Sequence, residues 1–228
     1  MAGKLYGIGV GPGDPELLTL KALRTIKESD VIAVPQEGGT SSVAYQIVLP
    51  VCPEIAEKEL LALPMPMTKD KELLEKSHNE GTRMVEECLD QGKQVAFLTL
   101  GDPTVYSTYL YVHKRVEADG YDTEILSGIT SFCAVAARLN MGLVEKAEEL
   151  HVIPASYQIE EALELPGTKV LMKAGKKMKD VKEVLRRKSV EVEMIENCGM
   201  ENERIYHNLE EIPEESSYYS LIIIKEKN

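Results

Sequence analysis

Leu98-Thr99-Leu100-Gly101-Asp102-Pro103-Thr104-Val105-Tyr106-Ser107-Thr108 is the stretch on which the reading of this chain turns. Upstream, an apolar run from Val95 has the length of a buried strand; downstream, Thr104 to about Glu117 carries helical spacing. A strand that stops at Gly-Asp-Pro and restarts as a helix puts backbone at the carboxyl edge of a sheet, where open α/β sheets bind small ligands. Gly101 allows backbone to approach a ligand, Pro103 fixes the turn, and the amides of Thr104 and Val105 are expected to open the helix with partial positive charge. An ordinary βα turn can be spelled the same way, so the stretch needs support from elsewhere.

Two further elbows supply it. Lys4 to Val10 is a short apolar strand running into Gly7-Ile8-Gly9-Val10-Gly11-Pro12-Gly13-Asp14-Pro15. Asp14 can cap a following helix and Pro15 suits its first turn, with Leu17, Leu18, Leu20, Leu23 and Ile26 as the apolar stripe. A dinucleotide fingerprint fails here, because the third glycine position falls on Pro12, Asp14 or Glu16. The elbow is therefore either structural or a close approach to a cofactor. Tyr121 to Leu126 is another strand, followed by Ser127-Gly128-Ile129-Thr130-Ser131-Phe132 and an alanine-rich helix that Gly142 ends. Thr130 and Ser131 read equally as helix caps and as ligand contacts.

Between the elbows, Asp30 to Val34 reads as a strand ending at Pro35, and Gly38 to Ser42 as a loop in which Ser41 or Ser42 caps a short helix. Leu60 to Met67 carries too many prolines for a central strand and fits an edge or a ligand-side loop. A charged helix from about Lys69 to Asp90 has Leu73, Leu74, Met84, Val85, Cys88 and Leu89 on its apolar side.

The second half changes character. Short strands at His151 to Ala155, Thr168 to Met172, Val190 to Glu196, Arg204 to Asn208 and Tyr218 to Lys225 alternate with helices near Ile159 to Leu165 and Met178 to Arg187. Such spacing predicts partly antiparallel pairing. The boundary is placed near Leu126, giving an N-terminal α/β domain over 1–126 and a C-terminal α/β domain over 127–228.

Composition narrows the function. At 228 residues the chain can bury a substantial core. A net charge of −12 disfavours nucleic acid while leaving an anionic small molecule possible. The absence of a long apolar run or signal-peptide layout predicts a cytoplasmic protein with no membrane partner. The four cysteines show no Cys-x-x-Cys pair, so reduced thiols and no metal site are expected.

Several stretches then resemble one family: Gly-x-Gly-Pro-Gly-Asp-Pro-x-Leu-Leu-Thr-Leu-Lys-Ala from Gly9, Leu-Gly-Asp-Pro-x-x-Tyr-Ser-Thr from Leu100, Gly-Ile-Thr-Ser-Phe from Gly128 and Leu-Met-Lys from Leu171. They are similar to the tetrapyrrole methylases, S-adenosylmethionine-dependent enzymes of the corrin and sirohaem pathways. Through Tyr106-Ser107-Thr108, Pro66-Met67-Thr68 and Tyr219-Ser220-Leu221-Ile222-Ile223 the chain most resembles the precorrin-2 carbon-20 methyltransferases. The resemblance implies a two-domain α/β fold with a parallel-rich sheet first and a mixed sheet second, a cofactor in the cleft between domains, and a homodimer. It implies S-adenosylmethionine contacts at Pro12, Leu100, Gly101, Asp102, Val105, Tyr106, Thr130, Ser131, Met172, Gly199 and Ser220. It also implies a reduced tetrapyrrole near Tyr106, Ser107 and Thr108.

No catalytic base is assigned. Where uroporphyrinogen-methylating relatives carry an aspartate after the second strand, this chain has Pro35. Asp102 reads as an anchor rather than a proton acceptor. Arg83, Lys114, Arg138 and Lys173 are candidate cations for substrate carboxylates. A nicotinamide oxidoreductase, a methyltransferase for another corrin carbon, and a noncatalytic S-adenosylmethionine-binding module stand as the alternatives.

Overall fold

The computed structural model describes residues 2–36, 42–154 and 159–227, so Gly38 to Ser41 and the Ala155 end of the expected strand lie outside the described residues. The chain divides into two compact units, Met1–Thr130 and Ser131–Asn228. A break after Leu126 differs from this only in residues 127–130, which the Gly128 amide, donating to Asp102 Oδ2 at 3.0 Å, ties to the first unit.

The first unit contains β1 (Lys4–Gly9), α1 (Leu20–Glu28), β2 (Val31–Gln36), α2 (Val43–Val48), β3 (Glu59–Pro64), α3 (Lys71–Asp90), β4 (Val95–Thr99), α4 (Tyr109–Ala118) and β5 (Asp122–Leu126). All five strands are parallel, in the order β3-β2-β4-β1-β5. Side chains alternate between faces. Ile8, Ile32, Val34, Ala96 and Leu98 pack with α1 and α2, while Leu5, Val31, Ala33, Val95 and Phe97 pack with α3 and α4. Both faces are therefore dry, which is why β4 is buried throughout. Tyr109 is fully buried against β1. A Cβ on Gly7 would lie 2.0 Å from its ring, so that glycine provides the slot.

Several helix starts differ from expectation, each for a local reason. The first elbow feeds a 3-10 turn, Pro15–Leu17, capped by Asp14; α1 begins only at Leu20, where Thr19 Oγ1 accepts the Ala22 amide at 3.1 Å. Leu20 is accordingly exposed and leaves the apolar stripe. On α3, capped by Asp70, Leu73 is exposed, and Ser77, His78, Gly81 and Thr82 are buried. Ser42 occupies the cap position of α2 without a side-chain cap bond. The expected edge segment forms β3 as an edge strand and then a loop in which Met65 is buried and Met67 exposed.

At the C-terminal end of α3, the Glu86 carboxyl is pushed up to about 7, by burial first and then by Asp119 and Asp90. One of its oxygens is buried without a hydrogen-bond partner among the described residues. Tyr121, whose hydroxyl donates to Asp90, completes the cluster. Because the folded-state value lies above the ordinary glutamate value, this group favours folding below about pH 4.5, and that contribution is lost as pH rises through about 7. Glu86→Gln should raise the melting temperature at pH 8 by a few degrees and hardly alter it at pH 4.5; thermal scans at both pH values check this.

The second unit contains α5 (Ser131–Arg138), β6 (Leu150–Pro154), α6 (Ile159–Ala162), β7 (Thr168–Met172), α7 (Met178–Leu185), β8 (Val190–Glu196), β9 (Arg204–Tyr206) and β10 (Ser220–Glu226). Its sheet runs β6-β7-β10-β8-β9, with β6 and β7 parallel and the other pairs antiparallel. One face packs on α6 and α7 and the other on Val135 and Ala136 of α5. Asn140, at φ +54, rather than Gly142 terminates α5. The Asn140 and Met141 amides donate back to Ala137 and Ala136, closing the last turn. Among the described residues no helix is long and apolar enough to cross a membrane.

Candidate functional site

The register of the first sheet brings the three elbows side by side: Gly9 ends β1 opposite Thr99 of β4, and Ile8 lies opposite Leu126 of β5. Beyond the parallel strands, Gly11 and Gly101 form an antiparallel bridge, Gly101 N donating to Gly11 O at 2.8 Å and Gly11 N to Gly101 O at 3.3 Å. A Cβ on Gly9 would lie 2.5 Å from Gly128 N, and one on Gly128 would lie 2.2 Å from Gly101 O. Those two glycines let the elbows touch each other. Gly101 differs. At φ +73, a Cβ there would meet only Ile129 O at 3.9 Å, so its outer side is open to a ligand.

Asp102 fastens this arrangement. Oδ1 accepts the Thr104 amide at 2.8 Å and its hydroxyl at 2.5 Å, and Oδ2 accepts the Gly128 amide at 3.0 Å. The Val105 amide donates to the Asp102 carbonyl. The amides expected to open a helix are thus spent in a turn, and α4 starts at Tyr109, whose amide is taken by Ser107 Oγ. With three donors on its carboxylate and 7% exposure, Asp102 is an anchor.

Two hydroxyls at this edge are buried with no hydrogen-bond partner among the described residues, Thr99 Oγ1 and Thr130 Oγ1. An unmade buried hydrogen bond costs about 1–3 kcal/mol, so both atoms fit a ligand with polar groups. Thr130 is therefore no helix cap. Thr99 is an addition to the sequence reading; its signal is the single polar residue ending the otherwise apolar Val-Ala-Phe-Leu-Thr strand.

The remaining sequence-predicted residues fall into two groups. In the first unit Pro12 is buried between Gly11 and Gly13, Leu100 and Val105 are half-buried, and Thr108 is exposed. Tyr106 is half-exposed at φ +50, so it is not a core residue. An aromatic side chain seldom adopts that backbone, and such strain concentrates at functional sites. In the second unit, half-buried Ser131 opens α5. Met172 ends β7 beside Leu221, buried Ser220 starts β10, and Gly199 lies in the turn after β8 at φ +75, which gathers the three at one end of that sheet.

Of the four candidate cations, Arg83 pairs with Glu87 and Arg138 with Glu203, so a substrate carboxylate would exchange with an acid already present at either. Lys173 Nζ stands 5.7 Å from the Tyr218 ring centroid, and Lys114 is exposed with no ion pair among the described residues. A dinucleotide site has no footing at the first elbow, since no α-helix begins where a pyrophosphate would need one.

Residues 4–213 match the family described as Tetrapyrrole (Corrin/Porphyrin) Methylases. The chain is a tetrapyrrole methylase. A protein of Methanocaldococcus jannaschii named probable cobalt-precorrin-2 C(20)-methyltransferase is 37% identical over 226 residues, 97% of this chain and 96% of that one. The cobalt-precorrin-2 C(20)-methyltransferase of Salmonella typhimurium is 31% identical over 237 residues, covering 100% of this chain and 98% of its own. In fold, this tetrapyrrole methylase is similar to the uroporphyrin-III C-methyl transferase of Thermus thermophilus complexed with S-adenyl homocysteine, with a TM-score of 0.74, 23% identity and 98% coverage of each chain.

Proposed function

We propose that this tetrapyrrole methylase transfers the methyl group of S-adenosylmethionine to carbon 20 of precorrin-2 or cobalt-precorrin-2 during corrin biosynthesis. The observation that carries the reading is the open side of Gly101 at the meeting of three elbows, flanked by the partnerless Thr99 and Thr130 hydroxyls. Near-full-length similarity to two proteins named for carbon-20 methylation supports the choice of substrate. S-adenosylmethionine supplies an electrophilic methyl on a sulfonium. In this reading Pro12, Leu100, Gly101, Val105, Tyr106 and Thr130 hold the donor, and the family resemblance also assigns it contacts at Ser131, Met172, Gly199 and Ser220. Asp102 takes part by fixing the elbow.

A strong base is unnecessary, because the bridging carbon of a reduced tetrapyrrole is enamine-like and already nucleophilic. Rigid elbows contribute by orientation, an effect worth up to about 7–11 kcal/mol. The macrocycle lies against Tyr106, Ser107 and Thr108. Pro35, half-buried in β2 opposite Leu63, offers no proton acceptor where uroporphyrinogen-methylating relatives have an aspartate. The enzyme acts as a homodimer in the cytoplasm, a reading that rests on the family resemblance. Transfer of isotope-labelled methyl to precorrin-2 tests the activity: a product heavier by one labelled methyl is expected, and donor binding without transfer would favour the noncatalytic reading.

Tyr106 separates chemistry from stability. Tyr106→Gly relieves a left-handed backbone penalty of about 1–2 kcal/mol, so the melting temperature should rise or hold while single-turnover methyl transfer falls. Tyr106→Phe keeps the ring and deletes the hydroxyl assigned to the macrocycle, so it should leave donor affinity near wild type and slow transfer. Unchanged transfer in both variants would remove Tyr106 from the substrate site.

A further inference from the structure

Asn197 lies just past β8 at φ +51 and is 8% exposed. Its backbone amide donates to Tyr219 O at 3.0 Å, and its carbonyl accepts the Met200 amide at 2.9 Å. Its Oδ1 accepts the Ser217 hydroxyl at 2.9 Å, while Nδ2 reaches Asn202 O at 3.5 Å. One side chain thus touches two separate segments. The 197–203 turn carries Gly199, and the 216–220 segment runs into Ser220.

Neighbouring groups add to the tie: the Asn197 amide and Glu196 also reach the 217–219 segment, and the Ser217 hydroxyl that donates to Asn197 accepts the Tyr219 amide at 3.2 Å. Glu196 accepts the Ser217 amide and, at 2.8 Å, the Tyr206 hydroxyl. Glu203 accepts the Gly199 amide at 2.8 Å and holds Arg138 with its other oxygen, also at 2.8 Å. The Gly199 amide is therefore spent inside the protein, and the turn is held at both ends by side chains. A left-handed residue needed only to turn the chain would be served by glycine. Asn197 instead combines that backbone with a buried side chain whose acceptor and donor point along different segments.

We propose that Asn197 is a positioning residue for the methyl donor: by joining the Gly199 turn to the Ser217–Ser220 segment it fixes both in the arrangement the donor requires. The inference rests on the reading that Gly199 and Ser220 contact the donor. It does not require Asn197 to touch the ligand.

Asn197→Gly decides between the two roles, since it keeps the left-handed backbone and deletes only the side-chain tie. In the unliganded protein, hydrogen exchange of the amides at 217–219 should quicken about tenfold, while the melting temperature changes little. S-adenosylhomocysteine affinity by calorimetry should fall about tenfold, KM for S-adenosylmethionine should rise to match, and kcat at saturating donor should stay within about twofold of wild type. Ser217→Ala removes the other end of the bond and also the hydroxyl that accepts the Tyr219 amide at 3.2 Å, so it should act in the same direction with a larger effect, and adding Asn197→Gly to it should cost little more. Wild-type exchange and affinity in Asn197→Gly would reduce Asn197 to a turn former and overturn the inference alone. Wild-type protein that binds no S-adenosylhomocysteine would overturn the functional reading and this inference together.

Discussion

Gly101→Val is expected to lower S-adenosylhomocysteine affinity by at least about a hundredfold in a protein that still folds, because the obstacle it creates faces the ligand rather than the protein. At φ +73 a β-branched residue is strained, at a cost of about 1–2 kcal/mol in stability. Among the described residues, the chain neighbours Leu100 and Asp102 aside, only Ile129 O comes within 4 Å of the new Cβ, so the side chain projects into the open space. Gly101→Ala carries most of the backbone strain with less bulk, and it should fall between wild type and valine in affinity. Calorimetry alongside thermal melting separates the effects. Normal affinity in the valine variant would mean that the donor does not pass over this elbow.

Gly128→Ala should show the opposite balance, losing stability first. Its Cβ would lie 2.2 Å from Gly101 O and 2.7 Å from the Gly9 carbonyl carbon, all rigid backbone. To admit it, the elbows must separate, and the Gly128 amide must leave Asp102 Oδ2. Overpacking of this kind costs about 3 kcal/mol, near the top of its usual range. For a chain of this size that is a fall of about 6–12 °C in melting temperature. Donor affinity should drop as a consequence of the displaced Gly101. An alanine variant as stable as wild type would contradict the contact between elbows.

These two glycines show what the sequence could and could not convey. Glycine after an apolar run marks an elbow, and the same signal appears at Gly9, Gly101 and Gly128. Which glycine admits a ligand and which admits a neighbouring turn depends on strand order, since β4 and β5 flank β1 only in the folded sheet. The periodicity of β4 and the mixed character of the second half were legible because both follow from burial pattern and strand spacing. The start of α4 was not. Helical spacing extends back to Thr104, but the Asp102 carboxylate competes for the Thr104 amide and holds it in a turn. Leu20 misled for a related reason, because a 3-10 turn between the elbow and α1 shifts the face that a continuous helix would present.

The polar part of the site was legible only in places. Thr130 belongs to a motif and could be singled out, whereas Thr99 reads as the end of a strand until its hydroxyl is seen to be buried without a partner. Acid partners of the candidate cations were not legible, since Glu203 reaches Arg138 across a separation of 65 residues. Asn197 carries no sequence signal beyond being an asparagine near a glycine. Its role depends on Ser217 and Tyr219, which only the pairing of β8 with β10 brings to it.

The central claim is methyl transfer to carbon 20, and the most direct test is to locate the carbon that receives the methyl. Purified enzyme is incubated with carbon-13 methyl-labelled S-adenosylmethionine and precorrin-2, metal-free in one arm and cobalt-loaded in the other, and the product is read by carbon-13 NMR. The account predicts a single labelled methyl at carbon 20 in at least one arm; label at another carbon, or no label in either arm despite bound donor, would contradict it.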